Sequence, residues 1–167
     1  MADSVSKHGE EVKIPEGASV LISGSGNVAQ FAAEKCLECG LKVLTLSDSN
    51  GTLLKEGGLS KEDLDAAMSL KNVQRGRLRD LVGLLQGATY HEGAKPWDIA
   101  NALIALPCAT QNEIGEADAE RLAERGVRFV AEGANMPSTN GAVRVYAARK
   151  ILYGPAKAAN AGGVAVS

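Results

Sequence analysis

The residues with the clearest chemical role in this chain are two glycines and an alanine, Gly24, Gly26 and Ala29, at G-x-G-x-x-A spacing. They follow an apolar run and lead into a stretch with apolar residues at helical spacing, which is the context that a phosphate-binding turn requires. The first glycine permits a tight turn, the second lets backbone N–H groups approach a pyrophosphate, and the small third residue lets the helix pack close to the strand. The pattern predicts that the amides of Asn27 and Val28, at the positive end of the helix dipole, face an anion.

An acidic residue stands where a dinucleotide site needs one. Asp48 follows a second apolar, β-branched run, residues 42–46 (KVLTL), and lies about 20 residues beyond the glycine turn, where an acid accepts hydrogen bonds from an adenosine ribose. Two glycines at this spacing also occur by chance in ordinary tight turns, so the glycine pattern alone is a weak signal. Strand, turn, helix, strand and acid in this order favour a dinucleotide site.

The rest of the chain alternates between strand and helix patterns. We expect strands at 102–106, 128–131 and 151–153, helices at 31–39, 77–86, 116–125 and 139–150, another helix starting at residue 60, and a turn-rich connection at 49–58. This alternation predicts an α/β fold of the Rossmann-like, doubly wound kind, with a mostly parallel sheet and helices on both faces. Ligands bind such sheets beyond the carboxyl ends of the strands, where the loops SGSGNVA, SDSNG, PCATQNE, EGANMP and PAKAANAGG all lie.

Composition limits the classes of protein to consider. Hydrophobic residues make up 45% and charged residues 23% of the chain, which is ordinary for a globular domain, and a net charge of −2 gives no basic field for nucleic acid or a membrane surface. The polar N-terminal stretch lacks the apolar core of a secretory signal, so we expect a cytoplasmic protein. Cys36 and Cys39 lie in one helix without a second ligand pair, which argues against a metal site. We expect an N-terminal arm or linker over residues 1–16 and a dinucleotide-binding domain over residues 17–167.

Five segments resemble a known family. LISGSGNVA, LSDSNG, ALPCATQNEI, FVAEGANMPST and GPAKAANAGGVAVS are similar to the nucleotide-binding domain of the glutamate, leucine, phenylalanine and valine dehydrogenases, and most closely to the NADP-dependent glutamate dehydrogenases. The resemblance implies reversible oxidative deamination of L-glutamate to 2-oxoglutarate and ammonia. In that reaction a hydride passes between the substrate α-carbon and the nicotinamide of the cofactor.

The resemblance also implies roles for individual residues. The pyrophosphate would be held by Gly24, Ser25, Gly26, Asn27 and Val28, the adenosine ribose by Asp48 and Ser49, and the nicotinamide half by Ala109, Thr110, Asn135 and Asn160. Val164 and Ser167 would line the pocket for the glutamate side chain.

Opposing charges bear on the choice between NADP and NAD. Asp48 alone would repel a 2′-phosphate and therefore favours NAD. Lys71 matches the position at which the resembled family binds that phosphate, and Arg77 could assist. Charge-assisted bonds to phosphate are strong enough to reverse the preference of the acid. We therefore expect NADP as the cofactor, with NAD or dual use as the alternative.

No catalytic residue is expected within this chain. The resembled family carries its catalytic lysine and a partner aspartate in a substrate domain, and no matching segment occurs here, so we expect cofactor binding with little turnover of glutamate. Glutamate, 2-oxoglutarate and ammonia as ligands, and a homo-oligomer, in this family a hexamer, are expected for the intact enzyme. The alternatives are a stand-alone dinucleotide-binding module without catalysis and another amino-acid dehydrogenase.

Overall fold

The computed structural model describes residues 5–7 and 10–156. In chain order its strands are β1 (Val5–Lys7), β2 (Glu10–Val12), β3 (Ser19–Ile22), β4 (Lys42–Val43), β5 (Thr45–Asp48), β6 (Gly51–Leu54), β7 (Thr89–Glu92), β8 (Ile104–Leu106), β9 (Phe129–Ala131) and β10 (Leu152–Gly154). Its helices are α1 (Asn27–Glu38), α2 (Lys61–Asn72), α3 (Pro96–Ile99), α4 (Glu116–Glu124) and α5 (Asn140–Ala148), and a 3-10 helix spans Leu78–Leu81. Within this part of the chain, no helix is long and apolar enough to cross a membrane.

A five-stranded parallel sheet forms the centre of the fold, in the order β10-β9-β8-β3-β4. Successive residues of β3 point to opposite faces of the sheet. Val20 and Ile22 pack into the core under α1 and α2, whereas Leu21 packs into the core under α4 and α5. Helices therefore cover both faces, and the predicted α/β, doubly wound, mostly parallel sheet is confirmed. The strands and helices expected between residues 102 and 153 are present with slightly different ends, and α3 is an addition that no pattern predicted.

The short strands β1 and β2 pair as an antiparallel hairpin. Both lie within residues 1–16, which the sequence assigns to an arm or linker. The boundary between that arm and the domain stays a prediction.

The single strand expected over residues 42–46 is wrong, because two strands share this segment. β4 continues the parallel sheet but ends at Val43, and β5 pairs antiparallel with β6. The buried hydroxyl of Thr45 causes the change, since it accepts a hydrogen bond from Ile22 N at 2.9 Å and donates one to Ile22 O at 3.0 Å. These bonds replace backbone ladder bonds, so the chain leaves the parallel sheet and carries Asp48 into a second one.

Two further expectations in this region are wrong. The connection expected at 49–58 contains β6, and the helix expected at 77–86 is one 3-10 turn that is followed by β7. Strands β5, β6 and β7 form a three-stranded antiparallel sheet. Gly51 permits its close pairing, because a Cβ at this position would clash with the carbonyl oxygen of His91 on β7.

Helix α2 begins at residue 61, directly after Ser60, in agreement with the helix start expected at residue 60. Asp63 N donates to Ser60 Oγ at 3.1 Å, and Ser60 N donates to Asp63 Oδ2 at 2.9 Å. This reciprocal capping box satisfies two backbone donors that would otherwise have no partner. It fixes the start of α2, and therefore the place where its last turn, with Lys71, lies.

Candidate functional site

A cavity of about 680 Å³ opens at the carboxyl ends of β3, β5 and β8. Its lining contains these residues predicted from the sequence: Gly24, Ser25, Gly26, Asn27, Val28, Asp48, Ser49, Lys71, Ala109 and Thr110. The fold thus brings residues from four separate segments to one place. This is the edge at which open α/β sheets bind ligands.

Gly24 is required by both its backbone and its surroundings. Its φ is +84°, in the left-handed region, and a Cβ would lie 2.9 Å from the carbonyl oxygen of Cys108 and 3.2 Å from the Cα of Ala109. Its amide donates to Ser47 Oγ at 2.7 Å. The turn is therefore pressed against the loop that follows β8, and only glycine fits there.

Gly26 differs from Gly24, because nothing in the fold demands a glycine there. Its φ of −80° and ψ of −170° are open to any residue, and a Cβ would meet no described atom within 4 Å. Gly26 is the N-cap of α1 and provides no side-chain cap, and the first turn of α1 carries no acidic residue. The amides of Asn27 and Val28 have no partner within the helix. In contrast, Ser60 and Thr139 cap α2 and α5 with their side chains.

Lys71 is held in position by the contact between α1 and α2. The amides of Gln30 and Asn72 exchange two hydrogen bonds, at 3.2 and 3.1 Å, and Gln30 Nε2 also donates to Ser25 O at 2.8 Å. The last turn of α2 is thereby tied to the glycine turn. Among the described residues, the amine of Lys71 forms no ion pair, and its charge acts on the carboxylate of Asp48.

The carboxylate of Asp48 is bonded on both oxygens. Oδ1 accepts from Asn50 N at 3.0 Å and from the Tyr90 hydroxyl at 2.8 Å, and Oδ2 accepts from Leu78 N at 3.1 Å. Burial raises the pKa of Asp48, but these hydrogen bonds and the charge of Lys71 outweigh it and leave the pKa below its usual value. Asp48 is therefore an anion at neutral pH, at the end of the cavity where the sequence predicts the ribose.

The loop after β8 forms the other wall of the cavity. Cys108 N donates to Ser23 Oγ at 2.9 Å, and Ala109 N donates to Glu113 Oε1 at 3.0 Å. Burial raises the pKa of Glu113, opposed by hydrogen bonds from Ser23, Ala109 and Thr110. The loop is thus closed on itself by a carboxylate and fastened to the end of β3.

Cys108 lines the cavity but is not poised for nucleophilic chemistry. Burial, and secondly the charge of Glu113, raise the pKa of its thiol to about 12. The thiol is neutral near pH 7, and the thiolate is the reactive form. This agrees with a site that binds a ligand without forming a bond to it.

Other predicted residues lie elsewhere. Asn135 is exposed on the loop after β9 and does not line this cavity in the described part of the chain, although its neighbour Ala134 donates from N to Pro107 O at 3.1 Å. Arg77 is exposed and also lies outside the lining. Asn160, Val164 and Ser167 lie outside the described residues.

Several lining residues escaped the sequence analysis. They are Ser47, Ala94, Lys95, Pro96, Cys108 and Glu113. Cys108 and Glu113 belong to the segment ALPCATQNEI, whose resemblance to the dehydrogenase family could have indicated them as site residues. Lys95 reaches the site only because Pro96 begins the short helix α3, and a single Lys-Pro pair gives no functional pattern.

Comparisons with known proteins agree with the motifs. A family model described as Glutamate/Leucine/Phenylalanine/Valine dehydrogenase matches residues 2–167. The chain is 54% identical over 153 residues to the NADP-specific glutamate dehydrogenase of Giardia intestinalis, covering 90% of this chain and 34% of that protein. It is 49% identical over 167 residues to the NAD(P)-specific glutamate dehydrogenase of Xylanibacter ruminicola, covering 100% of this chain and 36% of that one.

A solved structure shares the fold. The crystal structure of Plasmodium falciparum glutamate dehydrogenase superimposes with a TM-score of 0.86 at 43% identity, over 91% of this chain and 32% of that one. The chain therefore spans about a third of the length of the relatives it matches. Since the family model covers nearly every residue, the chain belongs to the glutamate, leucine, phenylalanine and valine dehydrogenase family.

Proposed function

We propose that this chain is the nucleotide-binding part of an NADP-dependent glutamate dehydrogenase, and that the cavity between α1 and the loop after β8 binds NADP(H). The observation that carries the proposal is the start of α1. Gly26 leaves open space where a Cβ would stand, and the helix begins without a side-chain cap or an acidic residue. Free amides and an uncompensated helix dipole then face a cavity, which suits a pyrophosphate.

The charges at the other end of the cavity support NADP over NAD. Lys71 lines the cavity beside Asp48 and Ser49 and has no ion-pair partner among the described residues. A lysine in this state binds a phosphate more strongly than a neutral hydroxyl. The match to relatives named NADP-specific supports the same choice, and a relative named NAD(P)-specific keeps dual use as the alternative.

In this proposal, the chain binds and orients the cofactor. The amides of Gly26, Asn27 and Val28 would hold the pyrophosphate, Asp48 and Lys71 the adenosine end, and the loop from Cys108 to Glu113 the nicotinamide end. When bound, the nicotinamide ring supplies the hydride acceptor or donor. The loop presents backbone and a neutral thiol there, and so adds no competing nucleophile.

Turnover is proposed for the intact enzyme and not for these residues alone. The reaction is reversible deamination of L-glutamate to 2-oxoglutarate and ammonia, and it requires substrate and cofactor to be held at contact distance. The described residues provide the cofactor side of that contact. We include in the proposal that the chain alone turns over little glutamate, and that the full-length protein is a cytoplasmic homo-oligomer, in this family a hexamer.

A titration of the chain with NADPH and NADH tests the proposal. We expect NADPH to bind, and Gly26→Ala to weaken it by roughly 10- to 100-fold, because a methyl group displaces phosphate oxygens from charge-assisted amide bonds. Gly57→Ala is the matched control, since a Cβ at Gly57 also meets no described atom within 4 Å and Gly57 does not line the cavity. NADPH binding that Gly26→Ala leaves intact would contradict the proposed site.

A further inference from the structure

The carboxylate of Asp48 has almost no acceptor capacity left for a ligand. Each carboxylate oxygen accepts about two hydrogen bonds. Oδ1 already receives Asn50 N at 3.0 Å and the Tyr90 hydroxyl at 2.8 Å, and Oδ2 receives Leu78 N at 3.1 Å. Oδ1 is therefore filled by described residues, and one acceptor position remains on Oδ2.

Tyr90 supplies the one side-chain donor among these three hydrogen bonds. It lies on β7, opposite Leu53 of β6, so the antiparallel sheet fixes the position of its ring. Burial, and secondly its hydrogen bond to Asp48, raise the pKa of Tyr90 to about 12. The phenol therefore stays protonated near neutral pH and continues to donate. Tyr90 does not line the cavity, so any effect on a ligand passes through Asp48.

The number of free acceptors on Asp48 distinguishes the two dinucleotides. The adenosine ribose of NAD(H) offers two neighbouring hydroxyl donors, and a carboxylate with both oxygens free can accept both. The ribose of NADP(H) offers one hydroxyl and a phosphate, which needs a cation such as Lys71. A carboxylate with one open acceptor position can therefore accept the single ribose hydroxyl of NADP(H), but only one of the two hydroxyls of NAD(H).

We propose that Tyr90 is a positioning residue that determines cofactor specificity by occupying Oδ1 of Asp48. The inference rests on the proposed function, because it concerns the ribose end of the same site. It explains how an acid that favours NAD in isolation is compatible with NADP here. The phenol removes the second acceptor, and the hydrogen bonds from Tyr90 and Leu78 disperse the negative charge that a 2′-phosphate would meet.

Tyr90→Phe tests the proposal by equilibrium titration with NADPH and NADH. We expect the ratio of the two affinities to shift toward NADH by about three- to tenfold, because one hydrogen bond to the ribose becomes available. Tyr153→Phe is the matched control, since Tyr153 donates to the buried carboxylate of Glu132 at 2.8 Å and does not line the cavity. The control should leave the ratio unchanged.

Other outcomes would reject the inference. Equal weakening of both dinucleotides by Tyr90→Phe means that the phenol is merely structural, and an unchanged ratio means that Oδ1 is not used. If the unaltered chain binds neither dinucleotide, the proposed function fails together with the inference. If it binds NADPH and the Tyr90→Phe ratio stays constant, only the inference fails.

A second measurement uses the unaltered chain and therefore tests the inference even if Tyr90→Phe does not fold. With one acceptor open, Asp48 can serve either ribose hydroxyl of NADH but not both. The analogue of NADH that lacks the adenosine 2′-hydroxyl should therefore bind within about twofold of NADH. A loss above roughly tenfold would show that Asp48 accepts both hydroxyls, and would overturn the role of Tyr90.

Discussion

Replacing each of the two glycines of the turn by alanine separates folding from binding. At Gly24, alanine must adopt a φ of +84° and place its Cβ 2.9 Å from the carbonyl oxygen of Cys108. That oxygen belongs to the backbone, so it cannot move aside by a side-chain rotation. The loop that carries it is also held by the hydrogen bond from Cys108 N to Ser23 Oγ at 2.9 Å. At Gly26, alanine keeps φ at −80° and meets no described atom within 4 Å.

The expected magnitudes follow from these two environments. A left-handed alanine costs about 1–2 kcal/mol, and forcing a methyl into a packed site costs about 1–3 kcal/mol, so Gly24→Ala should lower the free energy of unfolding by about 2–5 kcal/mol. For a chain of this size that corresponds to a fall in Tm of roughly 5–20 °C. For Gly26→Ala, a poorer N-cap and a less flexible unfolded chain oppose each other, and the net change should stay within about 1 kcal/mol.

Thermal and urea unfolding followed by far-UV circular dichroism measure both variants, and NADPH titration of the folded protein measures binding. We expect Gly24→Ala to lose stability and Gly26→Ala to keep stability but lose affinity. The reasoning would be refuted by a Gly24→Ala protein that melts within about 2 °C of the parent. It would equally be refuted by a Gly26→Ala protein as unstable as Gly24→Ala, because the fold would then require both glycines.

Two other perturbations test the charges of the site. Lys71→Ala should weaken the binding of NADPH by roughly 10- to 100-fold and that of NADH by less than about threefold. Lys61→Ala is the control, because Lys61 lies on the first turn of the same helix and should affect neither affinity. Equal losses of affinity for both dinucleotides in Lys71→Ala would show that Lys71 does not bind the 2′-phosphate. Because the folded-state pKa of Asp48 lies below its unfolded value, its contribution to stability is present above about pH 4 and is lost as the pH falls through the folded pKa. Urea midpoints measured from neutral to acidic pH should therefore fall less steeply for Asp48→Asn than for the parent, and identical slopes would contradict the role of these hydrogen bonds.

Local patterns predict the part of the site that is contiguous in sequence. The strand, the glycine turn and α1 form one unbroken segment, and the Ser60 cap lies three residues from its partner Asp63, so sequence spacing reports geometry directly. The break at Thr45 could not be predicted in this way, because the hydroxyl that ends the parallel pairing bonds to Ile22, which is remote in sequence. A run such as KVLTL is compatible with one strand until that contact is known.

The same limit applies to the polar side chains that support the site. Gln30 is buried on α1, and its amide partner Asn72 lies at the end of another helix. Tyr90 reaches Asp48 only because β6 and β7 pair, and the sequence predicted neither strand. Each of these contacts joins residues that are 42 positions apart, a separation at which sequence periodicity carries no information.

The polar groups around the glycine turn differ from the start of α1 in that they are already hydrogen-bonded, whereas α1 has no side-chain cap. Buried donors nearby are satisfied within the protein: Thr45 Oγ1 accepts from Ile22 N, Ser47 Oγ from Gly24 N, and Ser23 Oγ from Cys108 N. An unsatisfied buried donor costs about 1–3 kcal/mol, so the three hydroxyls stabilise the fold around the glycine turn. They also hold β3, β5 and the loop after β8 together around the glycine turn. The proposed pyrophosphate position thus depends on the donors that are already bonded as well as on the amides of Asn27 and Val28.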